Sequence, residues 1–139
     1  MRSIDVRTNS RYAAVDVTDA IAALGPHPDG LLWMSVPHTT AALILCEADD
    51  KMLHDVERMV STLLEPLEPF SHDKNDNPNG SAHLMSAMLG SQLIVRIADG
   101  RLAVGSYQRV IFVELDGPRK RRIELAAIAL TDAPAGGPS

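Results

Sequence analysis

The final third of the chain holds three strand-like segments, 93–98, 102–115 and 121–130, separated only by tight-turn signals, and nothing else restricts the fold as strongly. Asp99-Gly100, between the first two, is a strong hairpin signal, because a two-residue type I′ turn needs positive φ at both central positions. Asp116-Gly117-Pro118 turns the chain between the second and third. Strands joined this closely pair antiparallel, since a parallel pair needs a crossover of a dozen or more residues.

The rest of the chain supplies further strands and two main helices. Residues 4–17 mix β-branched and polar side chains and predict one or two strands. Thr18 or Asp19 can cap a short helix through Leu24, ended by Gly25-Pro26. Residues 31–36 read as a strand, and residues 41–46 are apolar at every position, which suits a strand covered on both faces. Met52, Leu53, Val56, Met59, Val60, Leu63 and Leu64 follow a 3.6-residue period, with Asp49 or Asp50 as cap and Pro66 as stop. Residues 68–79 form a polar loop, and a shorter helix spans about 81–89, with Asn79 near its N-cap and Gly90 as its C-terminal signal. This order predicts an α+β fold built on antiparallel sheet. With no repeat and no linker, residues 1–130 form one domain, and the Ala/Gly/Pro-rich stretch 131–139 is read as a flexible tail.

With two Phe, two Tyr and one Trp among 139 residues, the core must be mostly aliphatic. The net charge of −5 argues against a nucleic-acid partner, which would call for a basic surface. Cys46 is the single cysteine and lies in an apolar run, so it reads as a small buried hydrophobe in a chain without internal disulfides. No apolar stretch approaches the roughly 20 residues of a membrane span, and residues 1–5 lack a signal-peptide core. These features predict a cytoplasmic protein with no membrane association.

Candidate chemistry rests on three histidines in polar contexts, His38, His72 and His83. Three imidazoles with an open fourth position make a catalytic metal site. Leu84, Met85, Met88 and Leu89 define one apolar helix face, which turns His83 the other way, toward solvent or a site. His38 follows a strand at a sheet rim, and His72 sits in the polar loop, whose Asp73, Asn75, Asp76 and Asn79 offer oxygen ligands without the EF-hand spacing. His54 faces water and His27 lies in a Pro-flanked turn, so neither is assigned to the site. Glu47, at the end of the most apolar strand, is a candidate general acid or base or a helix-dipole partner. Asp55 can orient a ligand histidine or pair with Lys51 or Arg58. In the cluster 119–122, strand alternation points Arg119 and Arg121 one way and Lys120 and Arg122 the other, so that one pair can line a site for phosphate.

Taken together, Val36-Pro37-His38-Thr39-Thr40-Ala41-Ala42-Leu43, Glu47, Asp55, Ala82-His83-Leu84, Leu89-Gly90-Ser91, Gly100-Arg101-Leu102-Ala103-Val104-Gly105, Gln108 and Glu114-Leu115-Asp116-Gly117-Pro118-Arg119 resemble the YjbQ-like family across almost the whole chain. The resemblance implies a β-β-α-β-β-α-β-β-β arrangement, a homotrimer, and a weak, secondary thiamine-phosphate synthase activity. It also implies a histidine-lined pocket near subunit contacts that holds a divalent metal, zinc or magnesium. By position, His38, His72 and His83 match the family's histidines as metal ligands. Glu47, Asp55 and Ser86 match catalytic positions, and Arg119, Arg121 and Gln108 match positions that bind substrate phosphate. This chain departs from the family pattern with Cys46 in place of Asn before the glutamate, with Ser106-Tyr107 where Thr-Trp is usual, and with a looser stretch at 77–81. The leading reading is an enzyme acting on a small phosphorylated metabolite. The alternatives are a non-catalytic trimer that binds metal or metabolite, and a zinc hydrolase with Glu47 as base.

Overall fold

The structure, a computed structural model, describes residues 1–73 and 76–131; Asn75 and the tail from 132 lie outside the described residues. In chain order the elements are β1 (Arg2–Arg7), β2 (Ala13–Asp16), α1 (Thr18–Ala22), β3 (Gly30–Ser35), β4 (Ala41–Cys46), α2 (Asp50–Thr62), a 3-10 turn (Glu65–Leu67), α3 (Gly80–Leu89), β5 (Gln92–Ala98), β6 (Arg101–Leu102), β7 (Arg109–Glu114) and β8 (Lys120–Ile128). They form a five-stranded sheet, β1-β8-β3-β5-β6, packed face to face on a three-stranded sheet, β2-β7-β4, and the strand pairs are antiparallel. The α+β prediction holds.

The segment 102–115 is two strands in different sheets. After β6 the chain leaves the larger sheet, and a turn closed by Gln108 N–H to the Gly105 carbonyl (3.0 Å) carries it across the sandwich into β7. Asp116-Gly117-Pro118 also crosses between sheets, because β7 pairs with β2 and β4 whereas β8 pairs with β1 and β3. Only Asp99-Gly100 makes the expected hairpin turn, with φ of 55° and 77°.

Val110 and Phe112 of β7 point into the core between the sheets, together with Leu32, Met34, Leu43 and Leu125. Ile111 and Val113 point the other way, onto Val56, Val60, Ala82 and Met85 of the two main helices. The unbroken apolar run of β7 is thus covered on both faces within one chain, by the larger sheet and by helices, and its burial needs no second subunit. Cys46 sits half-buried under the helices, where burial first and the nearby Glu47 second push its thiol up.

Asp49 caps α2 by accepting from Met52 N–H at 2.7 Å. The buried stripe of α2 is narrower than its periodicity suggests: Val56 and Val60 are buried, while Met52, Met59 and Leu63 are exposed. α1 begins at Thr18 without a side-chain cap, because the cap position falls on Val17, and the Thr18 hydroxyl instead donates to Asp16 and accepts from Val110 N–H.

Among the described residues the two main helices, α2 and α3, cover the three-stranded sheet. On the outer face of the five-stranded sheet, Trp33 stands beside Ile94 and Ala126, with Leu31 beside Ile128, and the Trp33 indole N–H donates to Gln92 at 3.2 Å.

Candidate functional site

One end of the sandwich is organised around a buried ion pair. Glu114, the last residue of β7, is 0% exposed, and its carboxylate accepts from the Thr8 hydroxyl (2.6 Å), from Leu115 and Asp116 N–H (3.0 and 3.1 Å) and from Arg121. Burial opposes its ionisation, but the hydrogen bonds from Arg121 and Thr8 outweigh that and hold its carboxyl below the usual range. Arg121 also donates through Nη2 to the Thr40 hydroxyl (2.8 Å) and carbonyl (3.1 Å). Strand alternation explains the placement: Arg121, Ile123 and Leu125 point into the sandwich, and Lys120 and Arg122 point out.

Arg121 nonetheless reaches the surface. With Arg119, Asn79, Asp116, His38 and His83 it lines a cleft of about 380 Å³. Its Nε and Nη2 are committed, and its Nη1 makes no hydrogen bond among the described residues. Arg119 is held through Nε to the Asp116 carbonyl (2.8 Å) and Nη2 to its carboxylate (3.1 Å), which also receives the Asn79 side-chain amide at 3.1 Å. Burial again opposes ionisation of Asp116, and the Asn79 and Arg119 bonds outweigh it, so its carboxyl stays low. The turn can pack this tightly only with glycine at 117, since a Cβ there would collide with the Ser10 carbonyl oxygen.

His38 lies between β3 and β4, half-buried, and its Nε2 accepts from Arg122 N–H at 3.1 Å. A backbone N–H can only donate, so the neutral ring carries its proton on Nδ1. Desolvation, then the positive charges of Arg121 and Arg122, hold its pKa below 6.5, consistent with a neutral ring. His83 borders the buried face of α3 rather than opposing it. That face is Ala82, Met85 and Ser86, while Leu84 and Met88 are 49% and 56% exposed, because apolar residues surround this helix and do not single out one side. His72 meets His83 edge-on, ring centroids 4.6 Å apart. Asp73 sets this contact by accepting from Phe70 N–H (3.0 Å) and Gly80 N–H (2.8 Å), which ties the loop to the start of α3. A Cβ at Gly80 would lie 2.6 Å from the Asp73 carboxylate, so the clasp needs glycine there.

The same fold is known. The profile of the family described as "UPF0047 protein YjbQ-like" matches residues 2–129. The chain belongs to this family. A UPF0047 protein of Archaeoglobus fulgidus is 34% identical over 125 residues, covering 90% of this chain and 98% of that protein. The crystal structure of a hypothetical protein from Aeropyrum pernix superposes with a TM-score of 0.82 at 34% identity, covering 93% of this chain and 98% of that one. A conserved hypothetical protein from Thermus thermophilus superposes with a TM-score of 0.81 at 29% identity, covering 92% and 100%.

The residues suggested by the family resemblance divide between places. His38, His83, Arg119 and Arg121 share the cleft, with His72 against His83. Ser86 is buried and donates to the Ala41 carbonyl at 2.6 Å, so its hydroxyl is committed to holding α3 on β4. Glu47 is exposed just past β4, and Gln108 is exposed just before β7. Cys46 pairs with Arg109, which puts both at the opposite end of the three-stranded sheet, about 17 Å along β7 from Glu114. Asp55 is exposed on α2.

The three histidines do not fit a three-ligand metal centre as placed. The Nε2 lone pair of His38 is taken by Arg122, and among the described residues no three His, Cys, Asp or Glu side chains of one protomer converge on a point. Glu114, Asp116, Asn79, Thr8 and Thr40 complete the site; of these the sequence offered Asn79 as an oxygen ligand, Glu114, Asp116 and Thr40 only as motif positions without a role, and Thr8 not at all. A usable signal existed for two of the site's residues: Glu114 is the charge that ends the apolar run of β7, and Arg121 is the one charge at an inward position of β8.

Proposed function

We propose that the cleft beside His38 and His83 receives the phosphate of a small phosphorylated metabolite, and that the protein acts on it as an enzyme of the thiamine-phosphate synthase kind. The observation that carries this reading is Arg121, a guanidinium fixed on two sides by Glu114 and Thr40 and opening on its third side into the cleft beside Arg119. Such a group meets an anion without reorganising, which is what stabilises charge as it develops. In the reaction proposed, a thiazole nitrogen attacks the methylene carbon of the pyrimidine. A C–N bond forms, and the C–O bond to diphosphate breaks with its electron pair leaving on oxygen. Arg119, Arg121 and the Nδ1–H of His38 would meet that departing charge. No step is assigned to zinc or magnesium. Zinc retained through chelation, and lost in His83→Ala, would reopen that role.

Non-catalytic binding of a phosphorylated metabolite is the second reading, and it too rests on a specific observation. Among the described residues no carboxylate lining the cleft is uncommitted, since Asp116 already accepts from Asn77, Asn79 and Arg119. The zinc-hydrolase reading gains no support, because Glu47 sits at the far end of the sheet. Expression in a cell lacking its thiamine-phosphate synthase separates the first two. Growth restored by the wild type and lost with Arg119→Ala supports the enzyme. No growth at high expression, with phosphate still bound in solution, leaves the binding protein.

The same reading makes the protein a cytoplasmic homotrimer. The uncovered apolar strip around Trp33 supports self-association. Among the described residues no helix is long and apolar enough to cross a membrane. A monomer mass by light scattering at micromolar concentration would overturn the trimer.

A further inference from the structure

The far end of β7 carries a cleft of its own, about 400 Å³, within the size range of small-ligand sites. Against it lies His27, only 3% exposed. Arg2 donates from Nη2 to His27 Nδ1 (2.9 Å), which leaves Nε2 to donate to the Ile21 carbonyl (3.0 Å). With both nitrogens committed, this imidazole offers the cleft only carbon surface, and Ala22, Leu102 and Val104 extend that apolar lining.

The polar rim is dominated by donors. Arg109, the cation nearest the sheet, is answered by Asp16 (2.8 Å) and Asp19 (3.0 Å). Gln108 spends its carbonyl oxygen on Gly105 N–H (2.8 Å), which leaves its amide N–H groups. Arg101 has no hydrogen bond or ion pair among the described residues, and the one carboxylate of the lining, Asp19, is turned to Arg109, so the cation left free in the lining is Arg101. Free donors above an apolar lining select a compact organic anion: a phosphate or carboxylate to meet Arg101, and a flat ring to lie against His27, Leu102 and Val104.

We infer that this cleft is a second ligand site, separate from the histidine cleft, and that it takes a single-ring organic anion. It shares no lining residue with the histidine cleft and does not depend on the function proposed for that end.

Phenyl phosphate titrated into the ¹⁵N-labelled full chain tests the site, with inorganic phosphate as comparator. Phenyl phosphate should shift the backbone amides of Gly100, Leu102, Val104 and Ser106, and inorganic phosphate should shift them far less. Arg101→Ala should weaken phenyl phosphate binding at these amides about tenfold, the loss of one charge-assisted hydrogen bond. Arg119→Ala should leave these shifts in place while removing phosphate-induced shifts near the histidine cleft. Shifts confined to the histidine cleft, equal affinity in Arg101→Ala, or equal response to the two phosphates would overturn the inference.

Discussion

The two ends of β7 carry similar charges in opposite ways. At Glu114 a carboxylate and a guanidinium are buried in the sandwich, with only one edge of Arg121 open to the cleft, and are tied by hydrogen bonds to Thr8 just after β1 and Thr40 just before β4. At Arg109 the guanidinium lies near the surface, paired with two partly or fully exposed carboxylates. The first arrangement fixes a charge so that it can act on something outside. The second keeps a cleft rim soluble and leaves recognition to an unpaired neighbour, Arg101.

That contrast predicts unequal costs for removing one partner. Glu114→Ala should lower unfolding stability by about 3–5 kcal/mol, because it strands Arg121 buried and unpaired. Asp16→Ala, at the other end, should lower it by no more than about 1 kcal/mol. Urea unfolding of both variants checks this, and equal losses would break the comparison. Ser86→Ala should fall between them, at about 1–3 kcal/mol, since it leaves the buried Ala41 carbonyl unsatisfied.

The histidine end should also carry the pH sensitivity just below neutrality. At lower pH Asp16 at the other end contributes too: burial opposes its ionisation, but hydrogen bonds from Thr18 and Arg109 outweigh that and hold its carboxyl low. The His38 pKa is depressed in the fold, so below about pH 6.5 the unfolded chain binds its proton first and stability declines as pH falls. Glu114 and Asp116 are depressed as well, so a further decline sets in below about pH 4.5, again because the unfolded chain is protonated first. His38→Ala should flatten the upper part of this profile and leave the lower part intact. Long-range ¹⁵N–¹H spectra of the wild type should show the Nδ1–H tautomer at His38; an Nε2–H tautomer would contradict the Arg122 hydrogen bond. Smallest of all, Arg101→Ala should change stability by no more than about 0.5 kcal/mol, since that exposed side chain makes no hydrogen bond or ion pair among the described residues.

Local signals made much of the architecture legible. Asp99-Gly100 marks its turn because few residue pairs accept two positive φ angles, and Asp49 marks a helix start because its carboxylate reaches Met52 N–H. The crossings between sheets were not legible, because a run such as 102–115 looks the same whether it stays in one sheet or changes sheets halfway. At the site, alternation separated Arg121 from Lys120 and Arg122 but did not say which of them faces inward or name Glu114 as a partner, since that pairing joins strands of different sheets. Glu47 and Gln108 show the converse limit. A motif puts residues in order along the chain, whereas strand direction decides which end of the molecule each one occupies.

Trp33 is the only indole in the chain, and it stands on a broad face that no helix shields among the described residues. The protein therefore carries a built-in optical gauge. Emission shifting to shorter wavelength as concentration rises would report that this face has found a dry cover, and emission that stays red would report that water remains its neighbour.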